Sequence, residues 1–369
     1  MSSGERTAWS ARVVISSLLC TTHSAPRCTV RHSTATRVVY IFSSAPTRSF
    51  LTSCYCSGCF TCCLRSGLRV YNVEPLVEKA HYSKDELGEV LLCEMVFRTN
   101  WLLVVKARRP CNLLLLDDQQ RVFKAEVLFK SPIRALRARK DKVAVVLSSS
   151  IQVLSVPSLQ RMALLRTPST VRPLCSLASD NNASQLLAAP AHRKGSVQLL
   201  DVSRAVKGAQ SSSPAVVGCH QTNLVCLSLS ANGTKLATAS ARGTIIRLWD
   251  TASKRMLHEL RRGSDYADVY CINFNPSASL VSCVSDKGTV HVWTARGAYA
   301  HVAAAAAAPG SAVHAPHARA LCAFVDDNNA VVICEDGTFH KFTFSAEGNC
   351  HRSDFEYFLQ VGEDDEFLQ

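Results

Sequence analysis

The chain of 369 residues lacks the features that most often identify a membrane-spanning protein or an enzyme. It contains no run of about twenty apolar residues, which predicts that it has no transmembrane helix. It also contains no Gly-Lys-Ser/Thr phosphate loop, no Gly-x-Ser-x-Gly elbow and no His-Glu-x-x-His motif. Aromatic residues make up only 7% of the chain, and they are not interleaved with basic residues as in single-strand nucleic-acid binders. We therefore expect no enzyme, no cofactor and no nucleic-acid partner.

Charge is plentiful but unevenly placed. The net charge is +12, and residues 1–69 contain eight arginines, no lysine and one acidic residue, Glu5. Residues 354–369 hold six acidic residues and no basic one. We expect residues 1–50 to be a disordered or artefactual extension, although their composition also resembles a mitochondrial presequence. The basic remainder suits an anionic membrane surface, and the same field would also attract nucleic acid.

A repeated pattern runs through the chain, with copies 45–49 residues apart between Gly195 and Gly337. Each copy indicates a tight turn around glycine followed by an alternating β-strand. Clear copies begin at Gly67, Gly195, Gly243, Gly288 and Gly337, and weaker copies occupy Asn112–Asp117 and Ser150–Ser155. Seven copies at the length of a four-stranded blade predict an all-β fold, a seven-bladed β-propeller of degenerate WD repeats. The predicted propeller spans residues 51–346, and an acidic C-terminal tail follows at residues 347–369.

The dipeptide Arg261-Arg262 lies between two of these copies, in the run Leu260–Gly263. Successive side chains of an extended strand point in opposite directions, so two adjacent arginines can serve two sites, one on each side. Guanidinium groups bind phosphate through paired hydrogen bonds and keep their charge near neutral pH. The arrangement predicts twin anion-binding pockets in neighbouring blades.

These runs resemble the PROPPIN family, β-propellers that bind polyphosphoinositides in autophagy. The family hallmark, Phe/Leu-Arg-Arg-Gly, is present as Leu260–Gly263, and the chain is most similar to the WIPI-type branch whose hallmark begins with Leu. Further matching runs are Tyr270–Asn275, Ser285–His291 and Asp336–Lys341.

The resemblance implies two phosphoinositide-binding sites. The first would comprise His220, Ser240, Thr244, Arg247 and Arg261, and the second Arg262, Ser285, Thr289 and His291. Hydroxyl groups donate hydrogen bonds to phosphate oxygens, and histidine adds charge as the pH falls. Two alternatives stay open: the Ser and Thr residues are also typical turn formers beside glycine, and His220 could be the structural histidine of a WD blade.

The resemblance also implies a function. It indicates a peripheral membrane protein that binds phosphatidylinositol 3-phosphate and 3,5-bisphosphate and recruits autophagy machinery during autophagosome formation. The expected partner is a rod-like lipid-transfer protein of the autophagy-related-two type, bound near Tyr71–Leu76, Arg108–Pro110 and Ser131-Pro132. The expected location is cytoplasmic, at preautophagosomal and endolysosomal membranes. The alternative is a general WD-repeat protein-interaction scaffold that binds no lipid.

An insertion in blade six separates Trp293 from Ala320. In the family this position holds a loop that dips into the bilayer, which would correspond to residues 298–316 here. The segment includes Ala303–Ala308, and its apolar face is weak for an interfacial element. A low-complexity disordered loop is an equal alternative.

Cysteine is abundant, with 17 residues. Cys56, Cys59 and Cys62 have the spacing of metal ligands. The resemblance, however, places Cys59–Cys63 on a strand of blade one, where side chains alternate between faces, and no second Cys or His pair follows at a finger-like distance. We expect no metal site and reduced cysteines in the core.

Overall fold

A computed structural model describes residues 11–15, 38–42, 58–64, 66–97, 99–180, 185–203, 214–295, 302–305, 320–334, 337–344 and 350–359. These residues form seven antiparallel sheets, the blades, arranged as a β-propeller. The all-β, seven-bladed prediction is confirmed. A short helix, α1 (Lys84–Leu87), follows blade one. Within the described ranges, no helix is long and apolar enough to cross a bilayer.

Each blade is a meander of consecutive strands. A parallel pair, β1 (Ala11–Ile15) and β2 (Val38–Phe42), precedes the blades. Blade one contains β3 (Cys59–Leu64), β4 (Gly67–Asn72) and β5 (Val77–Ser83), and blade two contains β6 (Val90–Met95), β7 (Trp101–Lys106), β8 (Asn112–Asp117) and β9 (Val122–Leu128). Blade three contains β10 (Ala135–Ala138), β11 (Lys142–Val146), β12 (Ser150–Ser155) and β13 (Arg161–Arg166), and blade four contains β14 (Ser176–Leu177), β15 (Leu186–Pro190), β16 (Ser196–Asp201) and β17 (Ala215–Gly218).

The last three blades contain the twin motif and the C-terminal strands. Blade five contains β18 (Leu224–Leu229), β19 (Lys235–Ser240), β20 (Ile245–Asp250) and β21 (Met256–Arg261). Blade six contains β22 (Val269–Phe274), β23 (Leu280–Ser285), β24 (Thr289–Thr294) and β25 (Val302–Ala305). Blade seven contains β26 (Ala320–Phe324), β27 (Asn329–Cys334), β28 (Thr338–Phe344) and β29 (Cys350–Tyr357).

The predicted repeat corresponds to one equivalent strand in every blade. It forms β4 in blade one and the third strand of each four-stranded blade, namely β8, β12, β16, β20, β24 and β28. The pattern is strongest here because a third strand has an inward apolar side and follows a tight turn, and both features leave a mark in the sequence.

The predicted boundaries differ from the structure in three places. Strand β29 pairs along β28, so the segment predicted as an acidic tail from residue 347 includes the outermost strand of blade seven. The pair β1–β2 lies inside the predicted extension 1–50, and the rest of that extension lies outside the described residues. In the blade-six insertion, Val302–Ala305 pairs with β24 as a fourth strand, and the rest of residues 298–316 lies outside the described residues.

Buried polar side chains tie neighbouring blades together. Thr61 of blade one donates to the carbonyl of Cys93 in blade two at 3.3 Å. Ser176 of blade four accepts from the backbone N–H of Leu229 in blade five at 2.9 Å. A buried backbone group without a hydrogen-bond partner is unfavourable in free energy. These hydrogen bonds therefore act together with the apolar packing to fix the spacing between blades.

The ring closes between the last and the first blade. Phe358, which is fully buried, lies 5.3 Å from the ring of Phe60 and 5.6 Å from the ring of Tyr71. Lys341 of blade seven forms an ion pair with Glu74 of blade one. Edge-on aromatic packing adds stabilisation beyond the buried area, so the segment that follows β29 joins the last blade to the first.

The cysteines on β3 point to opposite faces, as expected. Cys62 packs in the apolar cluster that joins blades one, six and seven, and Cys63 packs in the cluster that joins blades one to three. Burial raises the pKa of both thiols well above the usual range. Cys56 lies outside the described residues. Within the described part of the chain, no group of three or more His, Cys, Asp or Glu could hold a metal ion.

Candidate anion-binding site

The turn between β19 and β20 contains two of the residues predicted for the first pocket. It runs from Ser240 to Thr244, and the Thr244 carbonyl accepts from the backbone N–H of Arg262 at 2.9 Å. Gly243 has φ +66°, and a Cβ atom there would lie 1.8 Å from the Ala267 carbonyl oxygen. Glycine is therefore required, because the turn of blade five packs backbone to backbone against the loop that leads into blade six.

The two hallmark arginines have different surroundings. Arg261, the last residue of β21, is exposed, and its guanidinium bonds to no described residue. Arg262 is only 8% exposed. Its Nε donates to the Gly243 carbonyl at 2.6 Å, and Nη2 donates to the Asp265 carbonyl at 2.6 Å. Arg261 is available to a ligand, whereas Arg262 already holds together two segments of the protein.

His220 belongs to a buried hydrogen-bonded group. Its Nε2 lies 3.0 Å from the Thr238 hydroxyl, which also accepts from Trp249 Nε1 at 3.1 Å. Burial, with a smaller effect from the nearby Arg247, lowers the pKa of His220 to about 4. The ring is therefore neutral near pH 7, and its Nε2 shares a hydrogen bond with the Thr238 hydroxyl. These are the contacts of a structural histidine, the alternative considered above, and His220 brings no charge to the pocket at neutral pH.

Arg247 lies next to this group and is partly engaged. Its Nε donates to Glu259 at 2.9 Å, and Nη1 donates to the Cys219 carbonyl at 2.7 Å. Glu259 is its cross-strand neighbour on β21. Ser240 is buried and Thr244 half-buried at the adjacent turn. The residues predicted for the first pocket thus include an exposed Arg261, a half-engaged Arg247 and turn hydroxyls.

The second pocket repeats the turn in blade six. Ser285 is buried, and its Oγ lies 3.4 Å from the backbone N–H of Lys287, a distance consistent with a role in shaping the turn. Thr289 is half-buried at the start of β24. His291 stacks on Trp293, with ring centroids 5.5 Å apart and planes 10° from parallel. The four residues predicted for this pocket therefore lie in three places: Ser285 at the blade-six turn, Thr289 and His291 on strand β24, and Arg262 in the loop that follows β21.

Two carboxylates, those of Asp286 and Asp268, lie near the residues predicted for the second pocket. Asp286 accepts from the backbone N–H of Asp268 at 2.9 Å and lies 3.5 Å from Lys287 Nζ. Asp268 forms an ion pair with Arg172, which also donates to the Val269 carbonyl at 2.8 Å. Arg172 comes from the loop between blades three and four, so it links that loop to the entrance of blade six. Its role depends on a contact between residues 96 positions apart, and sequence patterns carry no sign of such a contact.

Sequence reasoning also missed two basic residues, Arg242 and Lys287. Both directly precede the turn glycine of their blade, and both side chains are exposed. Arg242 bonds through its side chain to no described residue, whereas Lys287 pairs with Asp286. The signal was present in the two copies, which read Ala-Arg-Gly-Thr and Asp-Lys-Gly-Thr.

Family membership follows from comparison with known proteins. A model of the PROPPIN family matches residues 47–304. The chain belongs to the PROPPIN family. The match includes both turns and the Arg261-Arg262 pair, so the resemblance seen in the sequence is confirmed.

Curated relatives agree with this assignment. The PROPPIN described here is 34% identical over 242 residues to SVP1-like protein 2 of Pichia angusta, covering 64% of this chain and 66% of that protein. It is 29% identical over 252 residues to autophagy-related protein 18 of Schizosaccharomyces pombe, again covering 64% and 66%. The alignments therefore span slightly less than two thirds of the length of these relatives.

Solved structures show the same fold. Hsv2 of Kluyveromyces lactis superimposes on this PROPPIN with a TM-score of 0.69 at 17% identity, covering 84% of this chain and 97% of that one. KlAtg21, in its complex with the coiled-coil of AgAtg16, gives a TM-score of 0.67 at 23% identity and covers 81% and 96%.

Proposed function

We propose that this PROPPIN is a peripheral membrane protein that binds phosphatidylinositol 3-phosphate and 3,5-bisphosphate through the turns of blades five and six. The observation that carries the proposal is the pair of exposed guanidiniums, Arg242 and Arg261, beside the Ser240–Thr244 turn. Their charge is permanent, and charge-assisted hydrogen bonds to phosphate are roughly twice as strong as neutral ones. Side chains with free donors next to turn hydroxyls suit a phosphorylated headgroup.

An exposed aromatic residue supports a membrane over a free headgroup. Tyr266 is 64% exposed in the loop that follows Arg262. Tyrosine is favoured at the boundary between water and lipid because one end of its ring is apolar and the other polar. Its position beside the arginine pair would bring it to the bilayer when a headgroup is bound.

We extend the proposal to autophagy because relatives similar in sequence are named autophagy-related protein 18e and autophagy-related protein 18. In this proposal the protein works without catalysis. It recruits a lipid-transfer protein of the autophagy-related-two type from the cytoplasm to preautophagosomal and endolysosomal membranes. Tyr71 is buried in the ring closure, so the partner surface is narrowed to exposed residues of blades two and three, Arg108 and Arg109 among them.

A second candidate, a protein-interaction scaffold that binds no lipid, is favoured by a different observation. Strand β9, the outer edge of blade two, exposes Val122, Phe123 and Leu128, the last of them by 73%. Exposed apolar side chains on an edge strand suit a protein partner. The first candidate predicts that the protein binds phosphoinositide vesicles, and the scaffold predicts that it does not.

Liposome flotation with and without phosphatidylinositol 3-phosphate separates the candidates. We expect the parent to float only with the phosphoinositide, and the Arg261→Thr variant to bind at least tenfold more weakly, since a hydrogen bond to a charged group contributes about 1.5–3 kcal/mol. Arg255→Thr is the matched control, because Arg255 is equally exposed and lies near the opposite end of β21. Equal flotation of the Arg261→Thr variant and the parent would refute the site, and no flotation of the folded parent would favour the scaffold.

A further inference from the structure

The turn between β15 and β16 of blade four is basic. His192, Arg193 and Lys194 are consecutive and exposed, and their side chains bond to no described residue. The turn contains no acidic residue. The segment from Gly218 to Asn223 also contains no acidic residue, and its only titratable basic residue, His220, is neutral near pH 7. The positive charge of this turn is therefore not neutralised by any described neighbour.

This turn lies directly against the first pocket. The Gly195 carbonyl accepts from the backbone N–H groups of Cys219 and His220, at 3.0 and 2.8 Å. A Cβ atom on Gly195 would lie 1.8 Å from the His220 carbonyl oxygen, so the two backbones are in contact. Arg247 donates to the carbonyl of the same Cys219 at 2.7 Å. A single residue, Cys219, thus separates the basic turn from the pocket arginine.

Equivalent turns in the next two blades each carry one basic residue, and the one in blade six, Lys287, is paired with Asp286. Each joins the second strand of its blade to the third, so all of them emerge on the same face of the propeller. Arg242 occupies this turn in blade five and Lys287 in blade six, whereas the corresponding turn of blade three, residues 148–150, is uncharged. The basic surface therefore covers blades four to six and begins at the His192–Lys194 turn.

We propose that the His192–Lys194 turn is a third membrane contact, which binds anionic lipids next to the headgroup that occupies the first pocket. The proposal rests on the proposed function and deepens it. The turn has no buried polar group and no enclosing wall, so it suits a diffuse anionic bilayer surface, and its contribution is independent of headgroup identity. Its contact with the pocket loop favours a bilayer over nucleic acid as the occupant.

The test compares R193Q/K194Q with K254Q/R255Q. Lys254 and Arg255 are also consecutive and exposed, and their replacement removes the same charge, but they lie in the turn between β20 and β21, at the opposite end of blade five from the first pocket. Binding is measured on phosphatidylcholine vesicles with phosphatidylinositol 3-phosphate, with and without added phosphatidylserine. Soluble inositol 1,3-bisphosphate and a single-stranded oligonucleotide serve as further probes.

We expect R193Q/K194Q to lower the affinity for phosphatidylserine-containing vesicles by up to about 30-fold, since each basic residue near an anionic surface contributes about fivefold. Binding to vesicles without phosphatidylserine and to soluble inositol 1,3-bisphosphate should stay within twofold of the parent, and K254Q/R255Q should bind all vesicles like the parent. An equal loss in K254Q/R255Q would overturn the proposal, as would a loss of soluble-headgroup affinity in R193Q/K194Q. A loss confined to the oligonucleotide would assign the turn to nucleic acid.

Failure of the proposed function gives a different result. In that case the parent would bind vesicles with phosphatidylinositol and with its 3-phosphate equally well. If R193Q/K194Q still weakened binding to phosphatidylserine, the turn would remain a membrane contact without a phosphoinositide site beside it. If neither the substitutions nor the lipid composition of the vesicles changed binding, both proposals would be wrong.

Discussion

Blades five and six carry the same turn motif, but the structure uses their basic residues differently. In blade five, Arg242 and Arg261 are exposed, and their guanidiniums bond to no described residue. At the blade-six pocket, Arg262 is buried against two carbonyl groups and Lys287 pairs with Asp286. Two copies of one motif can thus differ in how much charge they leave for a ligand. We infer that the first pocket supplies most of the headgroup affinity and that the second depends on a residue that also stabilises the fold.

The largest expected difference between Arg262 and Arg261 is in their contribution to the free energy of unfolding. Arg262→Thr leaves the carbonyls of Gly243 and Asp265 without their donor, which should cost about 2–4 kcal/mol of unfolding free energy. Arg261→Thr, at an exposed site, should change it by less than about 0.5 kcal/mol. Urea unfolding of the two variants measures the difference. Equal stability of both would contradict the structural role of Arg262.

This result bears on a replacement of both arginines together. Because Arg262 is buried, the double variant should lose stability as well as binding. Loss of binding in the double variant is therefore informative only when its unfolding is also measured.

The second effect concerns pH. The pKa of His220 is about 4 in the folded protein, below the value of about 6.5 expected for an unfolded chain. Between these values the unfolded state binds the extra proton, so the contribution of His220 to stability falls as the pH drops from about 6.5 to 4, and this contribution changes no further below that. The loss should be on the order of 2 kcal/mol. Unfolding at several pH values measures it.

The control for the pH effect is another histidine. His192 is exposed, so the His192→Asn variant should keep the pH dependence of the parent, and the His220→Asn variant should differ from the parent by the contribution of His220. Between pH 8 and 6 His220 should add nothing to headgroup binding, because its ring stays neutral there. A rise in affinity that disappears in the His220→Asn variant would show that this histidine carries charge to the ligand.

A third effect compares equivalent turn residues. Arg242→Gln removes an unpaired charge and should weaken binding to phosphoinositide vesicles about fivefold. Lys287→Gln removes a charge already paired with Asp286 and should weaken binding less than about twofold. Flotation or fluorescence titration on the same vesicles compares them. The reverse order would mean that the blade-six pocket, and not the blade-five pocket, dominates.

The sequence predicted the regular parts of the structure. A turn glycine followed by an alternating strand located the third strand of blades four to seven, because both local signals are strong there. The weaker copies at Asn112 and Ser150 located β8 and β12 as well. The pairing of Val302–Ala305 with β24 escaped prediction, since alanine has little preference for strands.

The site was predicted only in part. Alternation indicated that Arg261 and Arg262 face different sides, but it carries no information on what each side contains. The burial of Arg262 depends on Gly243, 19 residues away, and the charge balance of the second pocket depends on Arg172, 96 residues from Asp268. Such contacts follow from the closed ring, and no local pattern records them.

The smallest effect would come from freeing the charge of Lys287 at the second pocket. Asp286→Asn keeps an oxygen to accept the Asp268 N–H but removes a negative charge and releases Lys287. We expect headgroup affinity to rise about threefold, in line with the modest strength of exposed ion pairs. Asp250→Asn is the matched control, because Asp250 also accepts a backbone N–H, from Ser253 at 2.6 Å, at the opposite end of its blade. It should leave affinity unchanged. The gain should disappear in high salt, where exposed charges are screened. A gain that persists there would point to a change in the shape of the turn, and a loss would mean that the Asp286 carboxylate, and not only its acceptor oxygen, keeps the blade-six turn in its binding conformation.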